Sequence, residues 1–170
     1  MKLSKFIINS LPFVFSLNVS ASGFEKIDWT LTSAEIKANS PNKLTEDTPK
    51  RLTFESELFG TDFHLEYIFD DQQKLKNVLY YYSFDKKAKN CSSEYERFKL
   101  LVEKEYGATN VESYYSDAAK NAQAESYCAY AATGELRLSS KWSSENQISN
   151  LNLATWKGTP YIGFSITPNK

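Results

Sequence analysis

Between Leu52 and Phe84 the chain places apolar side chains at every second position in three successive runs, a spacing that extended strands satisfy and a helix does not. Leu52, Phe54, Ser56 and Leu58 alternate with polar neighbours. Phe63, Leu65, Tyr67 and Phe69 interleave with Asp62, His64, Glu66 and the apolar Ile68. Val78, Tyr80, Tyr82 and Phe84 form a third stripe, with Leu79 and Tyr81 on the opposite side. Period 2 with one apolar face describes an antiparallel sheet covered on one side. Gly60-Thr61-Asp62 and the stretch Asp70 to Lys74 are compact turn segments, so the three runs form a meander.

Helix signals bracket this meander. Thr32-Ser33-Ala34-Glu35 is a capping box, with Leu31 and Ile36 placed for a hydrophobic staple, and Asn39-Ser40-Pro41 ends the helix quickly. Residues 41–50 are polar, carry Pro41 and Pro49, and read as a loop. Downstream, Ser93-Glu94-Tyr95-Glu96 is a second capping box and Gly107 stands where a left-handed C-cap belongs. Between them Tyr95, Phe98, Leu101, Val102 and Tyr106 share one stripe. Residues 108–133 are ambiguous: Ala118 to Ala132 could be a helix stopped by Gly134. A second β group follows at Leu136–Trp142, Ile148–Trp156 and Tyr161–Ile166, its last two strands joined across Lys157-Gly158-Thr159-Pro160. The expected fold is α+β, with an antiparallel sheet in two three-stranded groups, ordered α-β-β-β-α-(α)-β-β-β, and helices packed on one face.

The N-terminus has the three zones of a secretory signal. Lys2 and Lys5 are followed by a mostly apolar stretch from Phe6 to Val19 and a small-residue site, Val19-Ser20-Ala21. The apolar stretch is broken by Asn9, Ser10, Pro12 and Ser16 and falls short of the roughly 20 residues a spanning helix needs. Residues 1–21 are therefore expected to be cleaved, leaving residues 22–170 as one domain, soluble in the periplasm. The chain has 20 basic and 21 acidic side chains. Lys2 and Lys5 leave with the signal and no acid does, so the mature stretch is more acidic still. Without a clustered basic excess, nucleic acid is not an expected partner.

Cys91 and Cys128 are the only cysteines. In an exported chain such a pair reads as one disulfide, with two free thiols as the alternative and no Cys-x-x-Cys to suggest redox exchange.

Catalytic and metal chemistry find little to use. Asp62, His64 and Glu66 project from one side of a strand and could be an acid–base or metal cluster, but period-2 polarity explains the same spacing. There is one histidine, no Gly-x-Ser-x-Gly and no Gly-rich phosphate loop. No catalytic residue, metal or cofactor is expected. Asn90-Cys91-Ser92 matches a glycosylation sequon only weakly, with cysteine in its middle. The aromatic surplus points elsewhere. Tyr80-Tyr81-Tyr82 loads both sides of one strand, and Tyr114-Tyr115, Tyr127, Tyr130, Trp142 and Trp156 add more. Tyrosine suits protein-binding surfaces because it buries area with few torsions to freeze. Tyr80, Tyr81, Tyr82, Tyr114 and Tyr115 are the candidate binding residues, core packing being the competing explanation.

The opening Trp29-Thr30-Leu31-Thr32-Ser33-Ala34-Glu35-Ile36, the meander, the Tyr106-Gly107 helix end and Trp142 before two closing strands are together similar to small exported proteins of Gram-negative bacteria. The opening also resembles the BamE-like and β-lactamase-inhibitor-protein-like folds, in which a capped helix packs on a three-stranded sheet. The resemblance implies action by binding other proteins, as inhibitors or envelope-assembly factors. Export, small size, the cysteine pair, acidic charge and surplus tyrosines make a non-enzymatic periplasmic protein-binding domain the expected function. Its particular form is an immunity or inhibitor protein against a secreted toxin or cell-wall enzyme, with an envelope-assembly or structural accessory as the alternative. The chain departs from those folds in lacking a lipidation cysteine and in the Pro41 and Pro49 linker, so no functional residue transfers.

Overall fold

The computed structural model describes residues 27–85, 87–109 and 111–169. The predicted signal at residues 1–21 lies outside the described residues. The chain is mixed α+β, in the order α1 (Ser33–Asn39), β1 (Leu44–Thr48), β2 (Arg51–Leu58), β3 (Thr61–Phe69), β4 (Leu75–Ser83), α2 (Cys91–Tyr106) and β5 (Val111–Tyr115). It continues with α3 (Asp117–Lys120), one 3-10 turn (Ala124–Ser126), α4 (Tyr127–Thr133), β6 (Leu136–Ser143), β7 (Gln147–Trp156) and β8 (Thr159–Pro168).

The two expected three-stranded groups are one continuous sheet of eight antiparallel strands, in the order β1-β2-β3-β4-β8-β7-β6-β5. The join is β4 against β8, where Tyr80 pairs with Phe164 and Tyr82 with Ile162. Both of these strands are apolar on the same side, so separating them would expose both stripes to water. Two-residue turns close the hairpins at Phe59-Gly60 and Lys157-Gly158, all four residues at positive φ, which matches the right-handed twist of the flanking strands.

Two strands were not legible in the chain. The stretch read as a loop at 41–50 contains β1. It pairs with β2 from Leu44↔Phe54 to Thr48↔Arg51, and its short polar run carries no apolar stripe because it lies at the sheet's edge. β5, at the opposite edge, pairs with β6 from Val111↔Ser140 to Tyr115↔Leu136 and is mostly exposed.

α1 begins as predicted. The Glu35 N–H donates to Thr32 Oγ1 at 3.3 Å, and the Thr32 N–H donates to Glu35 Oε2 at 2.9 Å. α2 departs from expectation at both ends. It starts at Cys91, two residues before the predicted box, with Asn90 as a cap that makes no side-chain bond. The Ser93 hydroxyl instead donates to the Asn90 carbonyl at 2.9 Å. The buried, disulfide-bonded Cys91 lies in the first turn, where the Glu94 N–H donates to the Asn90 carbonyl at 2.9 Å. Gly107 has φ 85° and ψ 176°, an extended positive-φ conformation open to glycine rather than a left-handed cap. Its carbonyl accepts from the Trp142 indole N–H at 2.9 Å. The Ala-rich stretch is three short pieces, and Gly134, at φ 79° and ψ 9°, ends the last of them in the left-handed region.

Two buried clusters lie along the sheet. One gathers Tyr95, Phe98 and Val102 of α2 and Cys128 and Ala131 of α4 over Leu136, Leu151, Leu153, Ile162 and Phe164. The other sets Ile36 of α1 over Leu52, Phe54, Leu65, Phe69 and Val78. Ile27, Trp29 and Tyr80 touch both. Cys91 and Cys128 are disulfide-bonded, with Cα atoms 5.3 Å apart, and clamp α2 to α4.

Candidate interaction surface

Strand registers sort every sheet residue onto one of two sides. Tyr80, Tyr82 and Tyr115 face the clusters. Tyr82 meets Phe84 edge-on at 4.8 Å between centroids, and Tyr115 meets Tyr127 at 5.9 Å. All three are half-buried, on the side of the sheet that carries the core. Tyr81 and Tyr114 face the opposite side, which carries no buried cluster and no described helix.

That open side is ordered in rows across the strands. One row runs Glu112, Ser139, Asn152, Gly163, Tyr81, His64 and Glu55, each residue paired with the next. A neighbouring row runs Lys141, Asn150, Ser165, Leu79, Glu66, Thr53 and Glu46. On β7, β8 and β4 the two rows are uncharged, made of Asn150, Asn152, Gly163, Ser165, Leu79 and Tyr81. Charge sits toward the margins, with Arg137 and Lys141 on β6 and Glu46, Glu55, Glu57 and Asp62 on β1 to β3.

The ring of Tyr81 stacks on His64 with centroids 4.9 Å apart and planes 24° from parallel. Burial pushes the Tyr81 hydroxyl above its usual range, and the negative charge of Glu66 adds to this. Two aromatics were not in the expected set. Tyr161 pairs with Ser83 and Ala154 and leans across Gly163, where a Cβ would lie 2.9 Å from its Cε2. Trp156, 70 % exposed, pairs with Thr159 at the hairpin tip, with Lys157 Nζ 5.7 Å from its ring centre. The signal for Tyr161 was present, since it alternates with buried Ile162 and Phe164, but only β8's central position shows what it faces.

Tyr114, 56 % exposed, lies on the same side at the β5 edge opposite Arg137, four strands from Tyr81 in the sheet order. The expected binding residues therefore do not converge. Of the expected residues only Tyr81 has aromatic neighbours on this side, with Tyr161 and then Trp156 following on the adjoining β8 and β7.

Asp62, His64 and Glu66 share the open side but do different things. Asp62 and His64 are exposed, beside a shallow depression of about 500 Å³ that Lys43, Glu55 and Glu57 also line. Glu66 is buried, its carboxylate 3.3 Å from Arg51 Nη1, while Arg51 Nη2 holds Glu46 at 2.6 Å. Burial raises the Glu66 carboxyl above the ordinary range and the Arg51 charge opposes the rise. Among the described residues no three His, Cys, Asp or Glu side chains converge as metal ligands would. No described helix is long and apolar enough to cross a membrane. Compared with protein-family models, curated proteins and solved structures, the chain matches none.

Proposed function

We propose that this protein is a non-enzymatic, periplasmic binding domain that holds another cell-envelope protein against the open side of its sheet, as an inhibitor or an immunity protein does. The observation that supports the reading is the patch of Tyr81, Tyr161 and Trp156, standing on strands whose opposite side is anchored in the core. Rigid aromatic anchors among neutral amides and hydroxyls form the composition of a protein-binding centre, with charge left at the rim. The disulfide fits an oxidising compartment, and the export signal read from residues 1–21 supplies the address.

A photo-crosslinking residue placed at Asn152, in the middle of the open side, should trap one partner in the periplasm, and Tyr81→Ala should weaken that complex about tenfold or more. The same crosslinker at Leu100, exposed on α2, should trap nothing specific. Equal trapping at both positions would sink the surface assignment. Deletion separates the roles: sensitivity to a toxin from sibling cells marks immunity, whereas defective outer-membrane assembly marks the accessory role instead.

A further inference from the structure

The sheet has two edges, and they differ. β1 is interrupted by a bulge between Leu44 and Glu46, carries Glu46 and Asp47, is followed by Pro49, and is tied to α1 by Lys37–Asp47 at 2.9 Å. Bulges, charges and proline are what natural edge strands use to refuse further pairing. β5, Val-Glu-Ser-Tyr-Tyr, keeps an unbroken register with β6, has no proline and carries Glu112 as its single charge. Its first four residues are exposed, Val111 to 37 % and Tyr114 to 56 %.

The direction of its free backbone groups follows from one bond. The Ser116 N–H donates at 2.8 Å to the carbonyl of Glu135, which lies opposite it one step beyond the Tyr115↔Leu136 pair. Hydrogen-bonded and non-bonded pairs alternate along an antiparallel ladder. Tyr114 and Glu112 therefore bond inward to β6, and the N–H and C=O groups of Val111, Ser113 and Tyr115 point outward, away from it.

We infer that the β5 edge pairs with β5 of a second copy of this chain, antiparallel and centred on Ser113, joining two sheets into one. In that register Ser113 bonds to Ser113 of the second copy and Val111 to its Tyr115, so every outward group of the strand finds a partner. Glu112 then lies opposite Tyr114 of the second copy, a carboxylate beside a hydroxyl. A two-fold axis at Glu112 would set two carboxylates face to face, and one at either Glu112 or Tyr114 would leave outward groups at one end of the strand unpaired. The pairing is isologous and closes at two copies. A five-residue strand forms an interface below the ~1,200 Å² of stable complexes, so the association is weak, with Kd on the order of 0.1–1 mM. The inference is independent of what the open side binds.

Sedimentation equilibrium of the purified chain up to millimolar concentration tests it. The wild type should pass reversibly from monomer to dimer. Ser113→Lys and Ser113→Glu should each stay monomeric, because like charges meet across the two-fold axis, and mixing the two should restore the dimer. Ser113→Pro deletes an outward donor and no inward one, so it should keep the wild-type melting temperature while weakening association about tenfold or more. A wild type that stays monomeric throughout, or a dimer that Ser113→Lys leaves intact, overturns the inference.

Discussion

Gly163 sits in the middle of β8 on the open side, and replacing it with alanine should be harmful for a reason that one further substitution can remove. In a strand, glycine costs about 0.5–1 kcal/mol relative to alanine through its extra unfolded-state freedom. Were this entropic effect the only one, Gly163→Ala would recover that much. The added Cβ, however, would stand 2.9 Å from Tyr161 Cε2, 3.4 Å from its Cδ2 and 3.5 Å from Leu79 Cδ1. The Leu79 contact is ordinary, so the Tyr161 ring must move, and overpacking of this kind costs roughly 1–3 kcal/mol. The net effect in the wild type is a loss of about 0–2.5 kcal/mol. In a Tyr161→Ala background the obstruction is gone, and the same change should stabilise by about 0.5–1 kcal/mol. Urea unfolding of the four proteins, with unchanged m-values, gives a coupling of about 1–3 kcal/mol between the two sites. Effects of Gly163→Ala that agree within about 0.5 kcal/mol in the two backgrounds would refute the packing argument.

Replacing both cysteines with alanine opens the link of sequence separation 37, worth about 4 kcal/mol in the chain-entropy model. Calorimetry should show melting lowered by roughly 8–16 °C, and a change worth less than about 1 kcal/mol would contradict the clamp assigned to Cys91 and Cys128. Tyr95→Phe strands the buried Ser140 hydroxyl, 2.6 Å from Tyr95 Oη, and should cost about 1–2 kcal/mol in urea. Burial pushes the Tyr95 hydroxyl up to about 12, against its hydrogen bond to Ser140. Its contribution is complete below the unfolded tyrosine pKa and lost as pH rises through the folded one, so Tyr95→Phe should flatten the alkaline fall in stability, and an unaltered alkaline slope would count against it. Arg51→Ala leaves the Glu66 carboxylate buried without its cation and should cost about 1–3 kcal/mol at neutral pH. Because the folded Glu66 carboxyl already lies above its ordinary range, stability tied to it is present at low pH and lost as pH rises. The Arg51→Ala deficit should therefore shrink in mildly acidic buffer, and a deficit that grows there would rule the account out.

The elements most readable in the chain were those with a periodic apolar side or a local cap. β2, β3, β4 and β6 to β8 follow their alternation, and α1 starts at its capping box, because each signal is carried by residues that meet the core or one another within a few positions. β1 and β5 left no such trace: an edge strand is held mainly by backbone bonds to its neighbour, which any side chain permits. The start of α2 was misplaced by two residues, since the helix opens at Cys91, bonded to a residue 37 positions away, and not at the box at Ser93.

Of the five candidate tyrosines, alternation alone divided Tyr80 and Tyr82 from Tyr81. Which side was core was not legible, since Leu79 and Tyr81 oppose Val78, Tyr80, Tyr82 and Phe84 with similar bulk, and only the packing of the clusters decided it. What faced outward beside Tyr81 was not legible. Tyr161 lies some 80 residues from Tyr81 along the chain and comes alongside only because β8 pairs with β4, a choice made by burying two apolar stripes together. By itself, then, the sequence determined the strands with an apolar side, the helix caps and the cysteine pair, all set by period and local chemistry. The tertiary structure decided the single sheet, its two unlike edges and the aromatic patch, since each depends on pairings between segments far apart in the chain.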